Sequence, residues 1–306
     1  MRSLRLGTRG SRLARWQAEW VKGRLAARGV ASAIVIIKTR GDAEVDRPLQ
    51  QLEGKGFFTR EIEEALLDDR IDVAVHSMKD LPTTLPAGLE LGAVPERADP
   101  ADVLVVHAAG VTSLAQLPAR ARLGTSSLRR VAQVKYLRPD LEVVSLRGNV
   151  PTRVEKVRTG AGLDAALLAF AGLSRLGLGS AIAGRLDPLE VMPAPGQGAL
   201  GLELRAGDRE VREALWPLDH APSAQAVAAE RALLAALGGG CQAAIAAYAG
   251  PRRTEDGQRL YGRVMAPDGT VQLTASTDID PARPVAAGEA VARLLEAHGA
   301  LELLAR

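Results

Sequence analysis

Apolar positions along this chain come in two kinds of run. Short runs rich in β-branched residues end abruptly in glycine or in polar residues. Each is followed by a longer stretch with apolar residues at helical spacing. In the first third the pattern predicts strands over 4–8, 33–38, 71–75 and 89–94, with helices over 13–28 and 60–69. The pattern then restarts, with strands over 122–125, 141–146 and 164–169. One helix runs to about 137 and another begins at 150 or 151. Strands alternating with helices indicate an α/β architecture with a parallel sheet. Proline-rich segments at 95–100 and 193–198 read as crossovers, the second returning the chain so that 200–204 adds a strand to the first sheet. After Pro217 come a helix over 224–237, strands over 243–248, 260–265 and 271–276, and a helix over 282–298. These make a small α+β domain with a hairpin turn at Asp268-Gly269. The expected fold class is therefore α/β with three domains: 1–97 plus 198–217, 100–195, and 220–306. Ser11, Thr59 and Ser223 are the expected helix N-caps.

Composition narrows the partners. The chain is 47% hydrophobic, enough for substantial cores, and 306 residues suit two or three domains. No apolar run reaches the ~18 residues of a membrane span, and the N-terminus has no apolar signal segment. With one cysteine and no signal, a reducing cytoplasm is expected. The formal charge is only +3, and aromatic residues are 3%, which argues against nucleic acid as a partner. Four scattered histidines and one cysteine offer no metal-ligand cluster. Only six of the 39 basic residues are lysine. Arginine presents a fixed fork of donors suited to carboxylate and phosphate, although a GC-rich genome or a thermophilic source also enriches it.

The candidate chemistry sits where strands end. Gly7-Thr8-Arg9-Gly10-Ser11 leads from a strand into a helix, an arrangement that offers free amides and a guanidinium to an anion. The run at 71–75 delivers His76-Ser77-Met78-Lys79-Asp80 at a strand's carboxyl end, where α/β sheets place their ligands; a surface ion pair of Lys79 with Asp80 is the plainer alternative. Gly124-Thr125-Ser126-Ser127-Leu128-Arg129-Arg130 and Arg147-Gly148-Asn149 repeat the logic. Gly7-Thr8 matches Gly124-Thr125, Arg40-Gly41-Asp42 matches Arg147-Gly148-Asn149, and Asp72-Val73-Ala74 matches Asp164-Ala165-Ala166. This weak internal duplication predicts two similar lobes whose anion-friendly turns face a cationic cleft. Gly54-Lys55-Gly56 reads as a mobile loop, and Phe57-Phe58 as helix-entry core or a lid. Finally, Cys241 follows three glycines at the end of a helix, on a backbone free to take positive φ. It is either a small buried hydrophobe or a thiol presented to something bulky.

Taken together, several stretches resemble the porphobilinogen deaminase (hydroxymethylbilane synthase) family. They are Thr8-Arg9-Gly10-Ser11, Thr39-Arg40-Gly41-Asp42, Gly54-Lys55-Gly56, His76-Ser77-Met78-Lys79-Asp80, Gly124 to Arg130, Ser145-Leu146-Arg147-Gly148-Asn149, Pro195-Gly196-Gln197-Gly198 and Gly239-Gly240-Cys241-Gln242, in the family's order. The resemblance implies two periplasmic-binding-protein-like lobes around a cleft and a small C-terminal domain. It implies a dipyrromethane cofactor joined through a thioether to Cys241. Four porphobilinogen molecules are then condensed head to tail with loss of ammonia, and water releases hydroxymethylbilane for tetrapyrrole synthesis. On the same basis Asp80 is the catalytic carboxylate. Arg9, Arg129, Arg130, Arg147 and Arg153 bind the carboxylates of cofactor and substrate. Ser11, Ser77, Lys79, Thr125, Ser127 and Gln197 make supporting polar contacts, and Lys55 and Phe58 belong to the active-site loop. The implied protein is a monomer.

The sequence departs from the family at Glu53, Phe57 and Arg60, where glycine, leucine and lysine are usual, and at Ala243-Ala244, where a proline is frequent. Two other readings compete. A two-lobed anion-binding protein without catalysis explains the arginines but not the cysteine domain. A cysteine hydrolase built on Cys241 and His76 requires a free thiolate.

Overall fold

In the computed structural model, residues 2–39, 59–239, 243–252 and 257–305 are described. Two compact units emerge, one of Met1–Ala98 with Gly198–Ala224 and one of Asp99–Gln197 with Gln225–Arg306. The strands run in chain order as β1 (Leu4–Arg9), β2 (Ser32–Ile37), β3 (Val73–Ser77), β4 (Leu89–Ala93), β5 (Asp102–Val106), β6 (Arg122–Gly124), β7 (Glu142–Val144), β8 (Ala165–Ala169), β9 (Gly184–Arg185), β10 (Leu200–Arg205), β11 (Ile245–Pro251), β12 (Gln258–Met265) and β13 (Gln272–Asp278).

The first unit is built on a sheet of order β2-β1-β3-β10-β4. β1 is parallel to β2 and β3, whereas β10 enters antiparallel between β3 and β4. The returning run at 200–204 therefore joins the first sheet as its pattern predicts. The helix Arg12–Ala26 buries Ala14, Gln17, Ala18, Val21 and Leu25, the three-and-four spacing of one helical face. Of these, Ala18, Val21 and Leu25 meet Leu4, Leu6, Val73, Val75, Leu202 and Leu204 from the sheet. Each fully buried leucine of this kind contributes on the order of 2 kcal/mol.

The second unit repeats the plan with order β7-β6-β8-β5-β9, again two parallel pairs followed by antiparallel ones. The repeat extends to register. Leu6 pairs with Val73 and Gly7 with Ala74; Leu123 pairs with Ala165 and Gly124 with Ala166. An aspartate precedes β3 in one lobe and β8 in the other, and clasps an arginine on the parallel neighbouring strand, β1 or β6. The Asp72 amide donates to the Arg5 carbonyl at 2.8 Å, and the Asp164 amide to that of Arg122 at 2.9 Å. Each carboxylate accepts in return from the same arginine's amide, at 2.8 Å and 2.7 Å.

The second unit also holds the antiparallel sheet β11-β12-β13. Its core joins Ala229 and Leu233 to Leu260, Val264, Val291 and Leu295. It is welded to the preceding lobe. Ala244 and Met265 pack on Ala132, and Arg263 donates to Gln133 Oε1 at 2.8 Å and to the carbonyls of Leu189 and Glu190. The hairpin turn forms as predicted, with Asp268 Oδ1 accepting from the Thr270 amide at 3.0 Å.

Two expected caps are not formed. Thr59 stands before the helix Arg60–Leu67, but its side chain accepts no bond from a helix amide. Ser223 lies inside the helix Ala221–Ala236, not before it. Its hydroxyl instead accepts from the Arg97 amide at 2.9 Å and meets His220 Nδ1 at 2.8 Å. Pro222 in the first turn is compatible with this earlier start, since the amide it lacks has no intrahelical partner there.

Candidate active site

The first lobe gathers its predicted site residues on one edge. β1 and β3 are parallel, so Arg9 and Ser77 stand at the same, carboxyl end of the sheet. Ser11 caps the helix Arg12–Ala26 by accepting from the Ala14 amide at 3.2 Å, and buried Thr8 donates to the Ala14 carbonyl. Gln17, buried on the same helix, donates to Ser77 Oγ at 2.9 Å. After Ser77 the chain forms a single 3-10 turn, Met78–Asp80. The turn is pinned by the Met78 amide donating to the Ala199 carbonyl at 3.0 Å. Behind it His76 Nε2 contacts Glu203 Oε2 at 3.0 Å, both side chains buried. Burial and the neighbouring Glu203 raise the pKa of Glu63 in the same interior. Lys79 and Asp80 are half-buried. The Asp80 carboxylate makes no hydrogen bond or ion pair with any described residue.

The second lobe places its residues at the equivalent edge, around a carboxylate that sequence reasoning passed over. Asp102, wholly buried at the start of β5, receives Arg129 Nη2 at 2.9 Å, Arg130 Nη2 at 2.7 Å and Nε at 3.0 Å, and Gln197 Nε2 at 2.7 Å. Burial disfavours the Asp102 charge. The two guanidiniums, with hydrogen bonds from Arg130 and Gln197, outweigh it and hold the carboxyl far below its usual range. Arg129 also donates to the Met192 carbonyl, and Arg130 to that of Leu167. Arg129, Arg130 and Gln197 are thus brought together, but on an internal acceptor. Buried Arg129 Nε is a remaining donor without a partner among the described residues. The available signal for Asp102 was a single charge opening an apolar run, Asp102-Val103-Leu104-Val105-Val106.

Thr125 and Ser127 form the turn before the helix Leu128–Leu137, with Thr125 Oγ1 accepting from the Ser127 amide at 3.3 Å. Asn149 caps the helix Val150–Arg158 by accepting from the Thr152 amide at 2.9 Å. Arg147 precedes that cap, and Arg153 on the first turn donates through Nε to the Gly148 carbonyl at 2.7 Å. Arg175, which the sequence reading did not single out, is drawn inside far enough for burial to lower its pKa to about 10.

Lys55, Phe58 and Cys241 lie outside the described residues. The helix leading to Cys241 does end as its glycines predict. Gly238 takes φ +63, and the amides of Gly238 and Gly239 donate to the carbonyls of Ala235 and Leu234 at 3.0 Å each. This is the pairing of a Schellman close, which a residue with a Cβ adopts only with strain.

Fold and site define a chain of two α/β lobes, each presenting hydroxyls, guanidiniums and a helix N-terminus along its carboxyl edge, with an α+β domain appended. Known sequences give the class a name. Residues 4–213 match the family model described as "Porphobilinogen deaminase, dipyromethane cofactor binding domain", and residues 224–297 match "Porphobilinogen deaminase, C-terminal domain". The chain belongs to the porphobilinogen deaminase family. Among its relatives are the porphobilinogen deaminases of Moorella thermoacetica, 51% identical across 99% of this chain and 96% of that one, and of Syntrophotalea carbinolica, 48% identical across 99% and 95%. Among solved structures it has a likeness to an ancestral cationic amino acid solute binding protein, with 16% identity, a TM-score of 0.45, and coverage of 70% of this chain and 89% of that one. Among the described residues no helix is long and apolar enough to cross a membrane.

Proposed function

We propose that the chain is a transferase of tetrapyrrole synthesis. It condenses four porphobilinogen molecules head to tail on a dipyrromethane held by Cys241 and releases hydroxymethylbilane with water. We further propose that it acts as a cytoplasmic monomer organised in the three domains set out above. The observation that carries this reading is the family match along nearly the whole chain.

The residues present fit such a group. Each pyrrole bears an acetate and a propionate, so cofactor and product are polycarboxylates. Arg9, Arg147 and Arg153 stand beside strand ends and helix N-termini, where charge-assisted bonds to carboxylates are strongest. Arg129 has an unused buried donor, and Arg130 and Gln197 hold that part of the lobe on Asp102. Ser11, Ser77, Thr125, Ser127 and Lys79 supply further donors. Lys55 and Phe58 are assigned to a loop over the site. The dipyrromethane supplies the unsubstituted pyrrole carbon at which the first porphobilinogen is joined.

Asp80 acts on the incoming substrate. As the amino group of the aminomethyl side chain leaves as ammonia, positive charge develops on the porphobilinogen ring and the methylene carbon it keeps. A fixed carboxylate there stabilises it, and electrostatic terms of this kind are commonly the largest in catalysis. That Asp80 spends none of its acceptors on described neighbours supports this role. In Asp80→Asn, turnover should fall by roughly 10²–10³ while the melting temperature stays at the parent's value. Parent-like turnover would remove Asp80 from the mechanism.

A further inference from the structure

In the first lobe the β1·β2 ladder runs to its end. Gly7 pairs with Val35, Thr8 with Ile36 and Arg9 with Ile37. In the second lobe the corresponding ladder stops at Gly124 and Val144, followed by one amide bond, from Thr125 to the Val144 carbonyl at 2.9 Å. Counting on from the shared Gly-Thr, Ser126 and Leu146 occupy the places of Arg9 and Ile37. There a side chain takes over from the backbone. Ser126 Oγ donates to the Leu146 carbonyl at 2.9 Å and accepts from the Leu146 amide at 3.1 Å. Ser145 Oγ lies 3.0 Å away, with its own hydroxyl as the donor to Ser126. One hydroxyl therefore satisfies both backbone groups of the residue that precedes Arg147.

The rest of that turn is held from its other end. Leu146 is only 2% exposed and lies in the lobe's core. Lys156 Nζ donates to the Arg147 carbonyl at 3.3 Å, and Asn149 caps the N-terminus of the next helix. Ser126 ties this turn to the neighbouring one carrying Thr125, Ser127, Arg129 and Arg130. We infer that Ser126 is a positioning residue for Arg147, fastening the two arginine-bearing turns into one surface for the carboxylates of the bound pyrroles. The inference rests on Arg147 as a carboxylate-binding residue, as proposed above.

The test uses the purified full chain. In Ser126→Ala, KM for porphobilinogen should rise about fivefold, the effect of one hydrogen bond. Turnover should stay within about twofold, and the share of protein carrying the pyrrole adduct by intact mass should fall. Ser126→Thr keeps the hydroxyl and should restore both. Adding Ser126→Ala to Arg147→Leu should change KM no further than Arg147→Leu alone. Unchanged KM and loading in Ser126→Ala would overturn the inference, as would a threonine variant as impaired as alanine. So would a further KM increase in the double variant, which leaves Arg147 in its role and removes only the link through Ser126. If Arg147→Leu itself binds and loads normally, the carboxylate-binding reading falls, and the inference with it.

Discussion

Two buried aspartates carry much of the polar organisation of the lobes. Asp102 collects Arg129, Arg130 and Gln197, whereas Asp72 collects Arg2 at 2.8 Å, Arg5 through Nε and Nη2, and Arg205 at 3.2 Å. Burial pushes the Asp72 pKa up, but bonds from Arg5 and Arg205 more than reverse this and bring it to about 2. The folded-state value is thus below the unfolded one, near 4. Asp72 therefore contributes stability at pH values above about 4, and that contribution is lost as pH falls from there towards 2. The contribution is on the order of 2 kcal/mol. Urea unfolding at a series of pH values should show a steep acid limb in the parent and a shallower one in Asp72→Asn; equal slopes would deny Asp72 this role. The sequence marked Arg129 and Arg130 as a pair of interest but gave no sign that an aspartate 27 residues from Arg129 would engage both. A buried acceptor is recognisable from sequence only as a charge within an apolar run, and Asp102 and Glu203 are each of that kind.

At the level of elements, most strands and helices were legible because their apolar spacing is strong and their ends are marked. The central strands β1, β3 and β6 fall where apolar runs stop at glycine, histidine or threonine. β5 was missed, because the run begins with a charge beside a proline-containing crossover. The helix Ala221–Ala236 starts earlier than Ser223 implies, because that serine bonds to Arg97 and His220 and does not cap. Two helix glycines make opposite predictions. A Cβ at Gly288, in the helix Pro284–Glu296, would stand 2.4 Å from the Ala229 carbonyl oxygen and 2.6 Å from Ala232 Cβ. Gly288→Ala should destabilise by about 1–3 kcal/mol, as the backbone approach outweighs the gain in helix propensity. A Cβ at Gly23, in the helix Arg12–Ala26, meets nothing within 4 Å, and Gly23→Ala should stabilise by about 0.5–1 kcal/mol. Denaturant midpoints of the two variants check this; shifts of the same sign would contradict the packing described.

Across the whole molecule, one plan is used twice and then extended. Each lobe turns the carboxyl edge of its sheet into a row of donors, and the second lobe is fused to the α+β domain through Arg263, Gln133 and Ala132. The duplication was visible as short matches such as Gly7-Thr8 with Gly124-Thr125, although their spacing differs between lobes. Its shared sheet plan, two parallel pairs followed by two antiparallel ones, emerges only from pairing, because which strands become neighbours is decided by contacts distant in sequence. The functional account depends on a pyrrole chain anchored at Cys241 and lengthened one unit at a time. Intact mass of the purified protein, before and after porphobilinogen is added, tests this most directly. The account predicts a starting mass raised by two pyrrole units and then a ladder of single-pyrrole steps. An active protein of unmodified mass, with no ladder on adding substrate, would contradict it.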